Sequence, residues 1–128
     1  MKLLLDTHLL LWAAGEPDRL SVSARSMLQD EANRLFFSSA SIWEIVIKRG
    51  LRRDDFRVDP FRLRRLLVVN GYTELSVNSD HALAVDQLPP LHRDPFDRIL
   101  IAQARTEGMV LLTGDGLVAR YEEGIRYV

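Results

Sequence analysis

The chain is predicted to be an α/β protein: a three-layer α/β/α sandwich built on a central, mainly parallel sheet. Three observations predict this. Short apolar runs alternate along the chain with longer segments of helical periodicity. The clearest runs, Leu3-Leu4-Leu5 and Met109-Val110-Leu111-Leu112, are apolar throughout, as strands covered on both faces must be. A length of 128 residues suits one well-filled core, so residues 1–128 are expected to form a single domain.

Leu3–Leu5 is the first strand, and Leu9–Ala14 is an apolar helix ending near Gly15-Glu16-Pro17. Ser21 or Ser23 caps a second helix through about Asn33, with Val22, Ala24, Met27, Leu28 and Ala32 available to its inner face. Leu35–Phe37 is a strand. Ser39 or Ser41 caps a helix to about Arg49, stopped by Gly50. Pro60 suits the first turn of a helix through Val69, closed by Asn70-Gly71. Thr73–Leu75 is a short strand, and Ser79 or Asp80 caps a helix to about Leu88. Pro89-Pro90 imposes an extended loop. Asp94-Pro95, cap and first residue, starts a helix to about Glu107 that Gly108 breaks. Met109–Leu112 is a strand, Leu117–Tyr121 a helical turn and Ile125–Val128 a last strand.

Bulk properties exclude more than they assign. The net charge is −1, so overall charge gives no argument for nucleic acid or membrane. Eight of the 17 basic residues nevertheless fall between Lys48 and Arg65. Such a patch holds phosphates, but solvated helix faces paired with Asp54, Asp55 and Asp59 explain it equally well. There is no cysteine, which removes disulfides and thiolate metal sites. Asp6 and His8 interrupt the leading apolar run, against a signal peptide. No stretch approaches the roughly 20 apolar residues of a membrane helix, and a cytoplasmic location without membrane contact is expected.

The informative residues are acids at element ends. Asp6 directly follows Leu3-Leu4-Leu5, where a carboxylate is unfavourable unless paired, protonated or metal-bound; a turn-capping Asp is the plain alternative. Glu44 lies in Ser41-Ile42-Trp43-Glu44, a capping-box spacing, with Lys48 four residues on, yet its other neighbours are apolar. Asp94 and Asp97 share the first turn of one helix. Asp94 reads as the N-cap, and two acids three apart repel unless a cation is near. Asp115 follows Met109–Leu112 through Thr113-Gly114, although Gly-Asp-Gly is also an ordinary turn. In a parallel sheet these ends fall on one side, so Asp6, Glu44, Asp97 and Asp115 converge. The natural occupant is a hard divalent ion, Mg²⁺ or Mn²⁺; zinc is disfavoured by the lack of cysteine.

The ordered set Leu-Leu-Leu-Asp6-Thr7, Trp43-Glu44-Ile45, Asp94-Pro-Phe-Asp97-Arg98 through Ala102-Gln-Ala104, and Leu112-Thr113-Gly-Asp115 resembles the PIN domain, and more closely its VapC-type toxins. The resemblance spans nearly the whole chain. It implies a PIN-like fold and a metal-dependent endoribonuclease toxin whose four acids are Asp6, Glu44, Asp97 and Asp115, with Asp94 an extra metal-binding or capping acid. Thr113 would orient water at the metal. The basic segment, with Arg93 or Arg98, would recognise structured or single-stranded RNA. His8 and His92 are not among the family's core ligands and would be structural or touch substrate. A cognate VapB-type antitoxin and a homodimer are implied as partners. The rival readings are an inactive PIN-fold interaction module and another phosphoryl-transfer protein. A haloacid-dehalogenase-like phosphatase would need Asp where His8 stands, and a receiver would need a late lysine, whereas the only lysines are Lys2 and Lys48.

Overall fold

The computed structural model describes residues 1–128. Five strands, β1 (Lys2–Leu5), β2 (Arg34–Ser38), β3 (Thr73–Leu75), β4 (Val110–Thr113) and β5 (Ile125–Tyr127), form one sheet in the order β3-β2-β1-β4-β5. Every pairing is parallel, so the sheet is wholly rather than mainly parallel. The helices are α1 (Thr7–Gly15), α2 (Val22–Gln29), α3 (Ser39–Gly50), α4 (Pro60–Val69), α5 (Ser79–Val85), α6 (Pro95–Glu107) and α7 (Gly116–Ala119), with a 3-10 turn at Pro17–Arg19.

The strands sort their side chains by alternation into two cores. Leu3, Leu5, Phe37 and Leu112 face one side, where Leu9 and Leu10 of α1, Ala24 of α2, Ile45 of α3 and Leu63 and Leu67 of α4 cover them. Leu4, Phe36 and Leu111 face the other, against Leu100, Ile101 and Ala104 of α6 and Val118 of α7. That is the three-layer sandwich expected from the continuous apolar runs.

The strand order carries the functional geometry. From β1 the chain winds outward through β2 to β3, then returns to the other side of β1 to lay down β4 and β5. β1 and β4 are therefore neighbours whose following segments diverge, with Leu5 opposite Leu112. A crevice opens beyond their C-terminal ends, as at the switch point of other doubly wound sheets.

Several helix starts differ from the sequence reading. α1 begins at Thr7 because Asp6 is itself its cap. α3 is capped by Ser38, the last residue of β2, rather than Ser39 or Ser41, and α5 by Asn78 rather than Ser79 or Asp80. The Asn78 cap is reciprocated by His81 Nδ1, which accepts the Asn78 N–H. α2 stops at Gln29, short of Asn33, as Asp30 turns the chain by accepting from Ala32 N. α5 ends at Val85, short of Leu88. α4 and α6 keep their expected limits, and Gly108 closes α6 with a left-handed φ of +66°.

Candidate functional site

Asp6 leaves β1 at the crevice and is almost wholly buried. Its Oδ1 accepts from Leu9 N at 2.9 Å, capping α1, and its Oδ2 accepts from Thr113 Oγ1 at 2.6 Å. Burial pushes its pKa above the usual carboxylate range, against these hydrogen bonds. Thr113, the last residue of β4, has no exposed surface. Its hydroxyl also accepts from Asp115 N at 3.0 Å, so one side chain ties both strand ends together. Asp115 caps the short α7 through Leu117 N and lines a cleft of about 400 Å³ with Asp6, His8, Trp12, Gly114 and Gly116.

Glu44 sits one turn into α3 and is 3% exposed. The capping box suggested by Ser41-x-x-Glu44 does not form, because the carboxylate turns inward. Oε1 accepts from Thr7 Oγ1 at 2.6 Å, and Oε2 pairs with Lys48. Thr7 has a single proton to give, so the Ser41 hydroxyl, 3.0 Å away, donates to Thr7. Both oxygens of Glu44 are thus held by side chains of the protein.

Asp94 and Asp97 separate by role. Asp94 Oδ1 accepts from Phe96 N at 2.8 Å and from Asp97 N at 3.2 Å, as an N-cap does. Asp97 approaches Asp115, its ligand atom within 4.8 Å. Burial, then the negative charges of Asp94 and Glu44, raise its pKa to about 6 against the opposing pull of His92. His92 Nε2 lies 2.7 Å from Asp97 Oδ2, while its Nδ1 accepts from Arg93 N at 3.0 Å. With Nδ1 an acceptor, the neutral ring carries its proton on Nε2 and donates it to Asp97. The Pro89–His92 loop is fixed by Arg98, which donates to the carbonyls of Val85, Pro89 and His92 and to Tyr121 Oη. Arg98 is therefore a clamp rather than a free substrate contact, contrary to expectation; Arg93 stays exposed.

Ligand atoms of His92, Asp97 and Asp115 lie within 4.8 Å of one another, a spacing that one metal ion could bridge. The donor chemistry fits a hard divalent cation: carboxylate oxygens predominate, and Asp97 carries a charge its surroundings disfavour. His92 would have to release Asp97 and change tautomer to join as a ligand. From sequence, His92 is expected to be structural or to touch substrate, not to be a ligand. Its one sequence signal is position, five residues before Asp97 after the rigid Pro89-Pro90 pair. Lys48 and Thr7, which hold Glu44, gave no signal beyond spacing and adjacency to an acid.

The basic segment is partly neutralised. Arg57 pairs with Asp54 at 2.8 Å, Arg53 with Asp55 at 3.5 Å and Arg64 with Glu74 at 2.8 Å. Arg49, Arg52, Arg53 and Arg57 surround a depression floored by Phe56. His8, beside Asp6, reaches this segment through Asp55 at 3.2 Å.

No curated protein sequence matches the chain. Among solved structures it is similar to VapBC-1 from nontypeable Haemophilus influenzae, with 17% identity over 100% of this chain and 97% of that one and a TM-score of 0.67. VapBC2 from Rickettsia felis, solved bound to a DNA fragment from its promoter, is similar at 13% identity over 100% and 98% of the two chains, also with a TM-score of 0.67. A toxin–antitoxin complex from Klebsiella pneumoniae is similar at 17% identity over 96% and 94%, with a TM-score of 0.58. At these identities the likeness is one of fold. The sequence itself matches the PIN domain model over residues 3–124, and the chain belongs to the PIN domain family.

Proposed function

We propose that the chain is a divalent-metal-dependent endoribonuclease, the toxin of a VapBC-type pair, acting as one unit over residues 1–128 in the cytoplasm. The observation that carries this reading is the sharing of one crevice by Asp6 and Asp115 at the β1–β4 switch point, with Asp97 entering from α6. A bound Mg²⁺ or Mn²⁺ would lower the pKa of water and neutralise the scissile phosphate.

The chain's own groups do the rest. Asp97 and Asp115, whose ligand atoms lie within 4.8 Å, would hold the cation together with Asp6 from across the crevice, and Thr113 fixes the rotamer of Asp6. This hydroxyl is committed to Asp6 and to Asp115 N, so Thr113 acts through Asp6 instead of through water. His92 orients Asp97, Asp94 starts the helix that delivers it, and Glu44 acts through its pair with Lys48. Water is the nucleophile, and the products carry 5′ phosphates. No hydroxyl, imidazole and carboxylate in the cleft stand in nucleophilic order. The exposed Arg49, Arg52 and Arg93 serve the RNA backbone, and the single-stranded form is favoured because its bases are open to reading. The solved neighbours are toxin–antitoxin complexes, which supports an antitoxin partner. That antitoxin would cover the acidic cleft, and the toxin would be a homodimer.

The test is cleavage of end-labelled RNA by purified protein. Activity should require Mn²⁺ or Mg²⁺, disappear with EDTA, and fall by more than about 100-fold in Asp6→Asn and Asp115→Asn. Full activity in both variants would remove the assignment.

A further inference from the structure

Lys48 is placed unusually for a lysine beside a nuclease cleft. Its side chain is 17% exposed, and its ammonium pairs with Glu44 Oε2. It lies over the Phe56 ring at 4.9 Å and the Phe96 ring at 5.9 Å. Phe56 is wholly buried, and Phe96 is held edge-on by Trp43 at 5.3 Å. Two aromatic faces and a carboxylate therefore enclose the ammonium, a setting that strengthens cation–π attraction and denies the lysine a swing toward solvent. It is not a mobile phosphate contact.

The cleft also has an excess of acids. Asp6, Glu44, Asp94, Asp97 and Asp115 stand at one sheet edge, and Asp97 responds to the charges of both Asp94 and Glu44. Two divalent ions would be the usual way to balance so many carboxylates. Glu44 and Asp6 both lie outside the group whose ligand atoms approach within 4.8 Å, but they differ in partners: Asp6 accepts only from the neutral Leu9 N–H and Thr113 hydroxyl, whereas Glu44 accepts from Thr7 and has its charge met by the Lys48 ammonium.

We infer that Lys48 is a positioning residue whose fixed ammonium takes the place of a second cation, so that the cleft binds one divalent ion and Glu44 is not among its ligands. This rests on the metal site proposed above. Removing the ammonium while keeping Glu44 leaves a buried, uncompensated carboxylate facing Asp97, which a second ion would then satisfy.

The measurement is Mn²⁺ stoichiometry on the full chain, by electron paramagnetic resonance of free Mn²⁺, with folding checked by circular dichroism. One ion is expected for the unaltered protein, two for Lys48→Met and one for Lys48→Arg, which restores the charge. The double variant Glu44→Gln/Lys48→Met exchanges the pair for neutral groups, and should bind one ion within about threefold of the original affinity. Two ions on the unaltered protein, falling to one in Glu44→Gln, would overturn the inference even if Lys48→Met fails to fold. So would a single ion on a folded Lys48→Met. No Mn²⁺ binding by the unaltered protein would instead remove the metal site itself, and the inference with it.

Discussion

At Asp97, burial and the charges of Asp94 and Glu44 act against the hydrogen bond from His92, and the outcome is a pKa of about 6. The folded value lies above the ordinary 3.8, so the protonated acid favours the fold. That contribution is complete below about pH 4 and is lost as pH rises through about 6. In EDTA, the stability difference between the unaltered protein and Asp97→Asn should therefore shift against the unaltered protein across this window, by up to about 3 kcal/mol. Mn²⁺ should flatten the dependence by compensating the charge. Urea titrations at pH 4.5 and 7.5, with and without Mn²⁺, measure it; a pH-independent difference in EDTA would refute the electrostatic account. The positions of Asp6, Asp97 and Asp115 were legible because chain polarity alone fixes an acid at a strand end or in a helix's first turn. The inward turn of Glu44 was not. Lys48 stands one turn on in the same helix, but Thr7 meets Glu44 only when α1 packs beside α3, and Ser41-x-x-Glu44 offered a local alternative that the protein does not use.

Helix α6 joins the core to the cleft. Its C-terminal half packs Leu100, Ile101 and Ala104 under the sheet, while its first turn presents Asp97. Asp94 and Pro95 set where that turn begins, so the rotation that buries the apolar stripe also aims the acid. Asn caps helices about as well as Asp. Asp94→Asn should therefore keep thermal stability within about 0.5 kcal/mol and lower Mn²⁺ affinity less than about tenfold, whereas Asp97→Asn should lower it more than about 100-fold. Calorimetric titration compares the two, and equal losses would make Asp94 a ligand. The limits of α4 and α6 were readable because proline fixes the start and Asn-Gly or glycine the end. The caps of α3 and α5 were misplaced because neighbouring Ser or Asn residues cap comparably. What selects Ser38 is where β2 leaves the sheet, a tertiary fact with no local signature.

On the scale of the molecule, the sheet was legible from its apolar runs, but its order was not. Alternating strands and helices fit many windings, and only packing places β4 beside β1. The surface is less closed than the interior. Trp43, Val46 and Leu51 on or after α3, and Leu83 on α5, are 62%, 48%, 70% and 71% exposed. Trp43 also borders an apolar hollow with Ala40, Val77, Val85, Phe96 and Ile99. In the proposed homodimer, a second copy would cover this apolar face. Light scattering should then give about twice the 14.7 kDa chain mass, and Trp43→Glu should shift it toward one. A single-chain mass at micromolar concentration, with and without antitoxin, would count against it.

The bond from Thr113 to Asp6 spans 107 residues of sequence. Asp6 is therefore synthesised 107 residues ahead of the hydroxyl that orients it. Until β4 has emerged and docked, Asp6 has neither the hydroxyl that orients it nor Asp115 across the crevice. On the function proposed above, a chain whose synthesis stops before β4 would therefore lack the assembled crevice and should not cleave RNA.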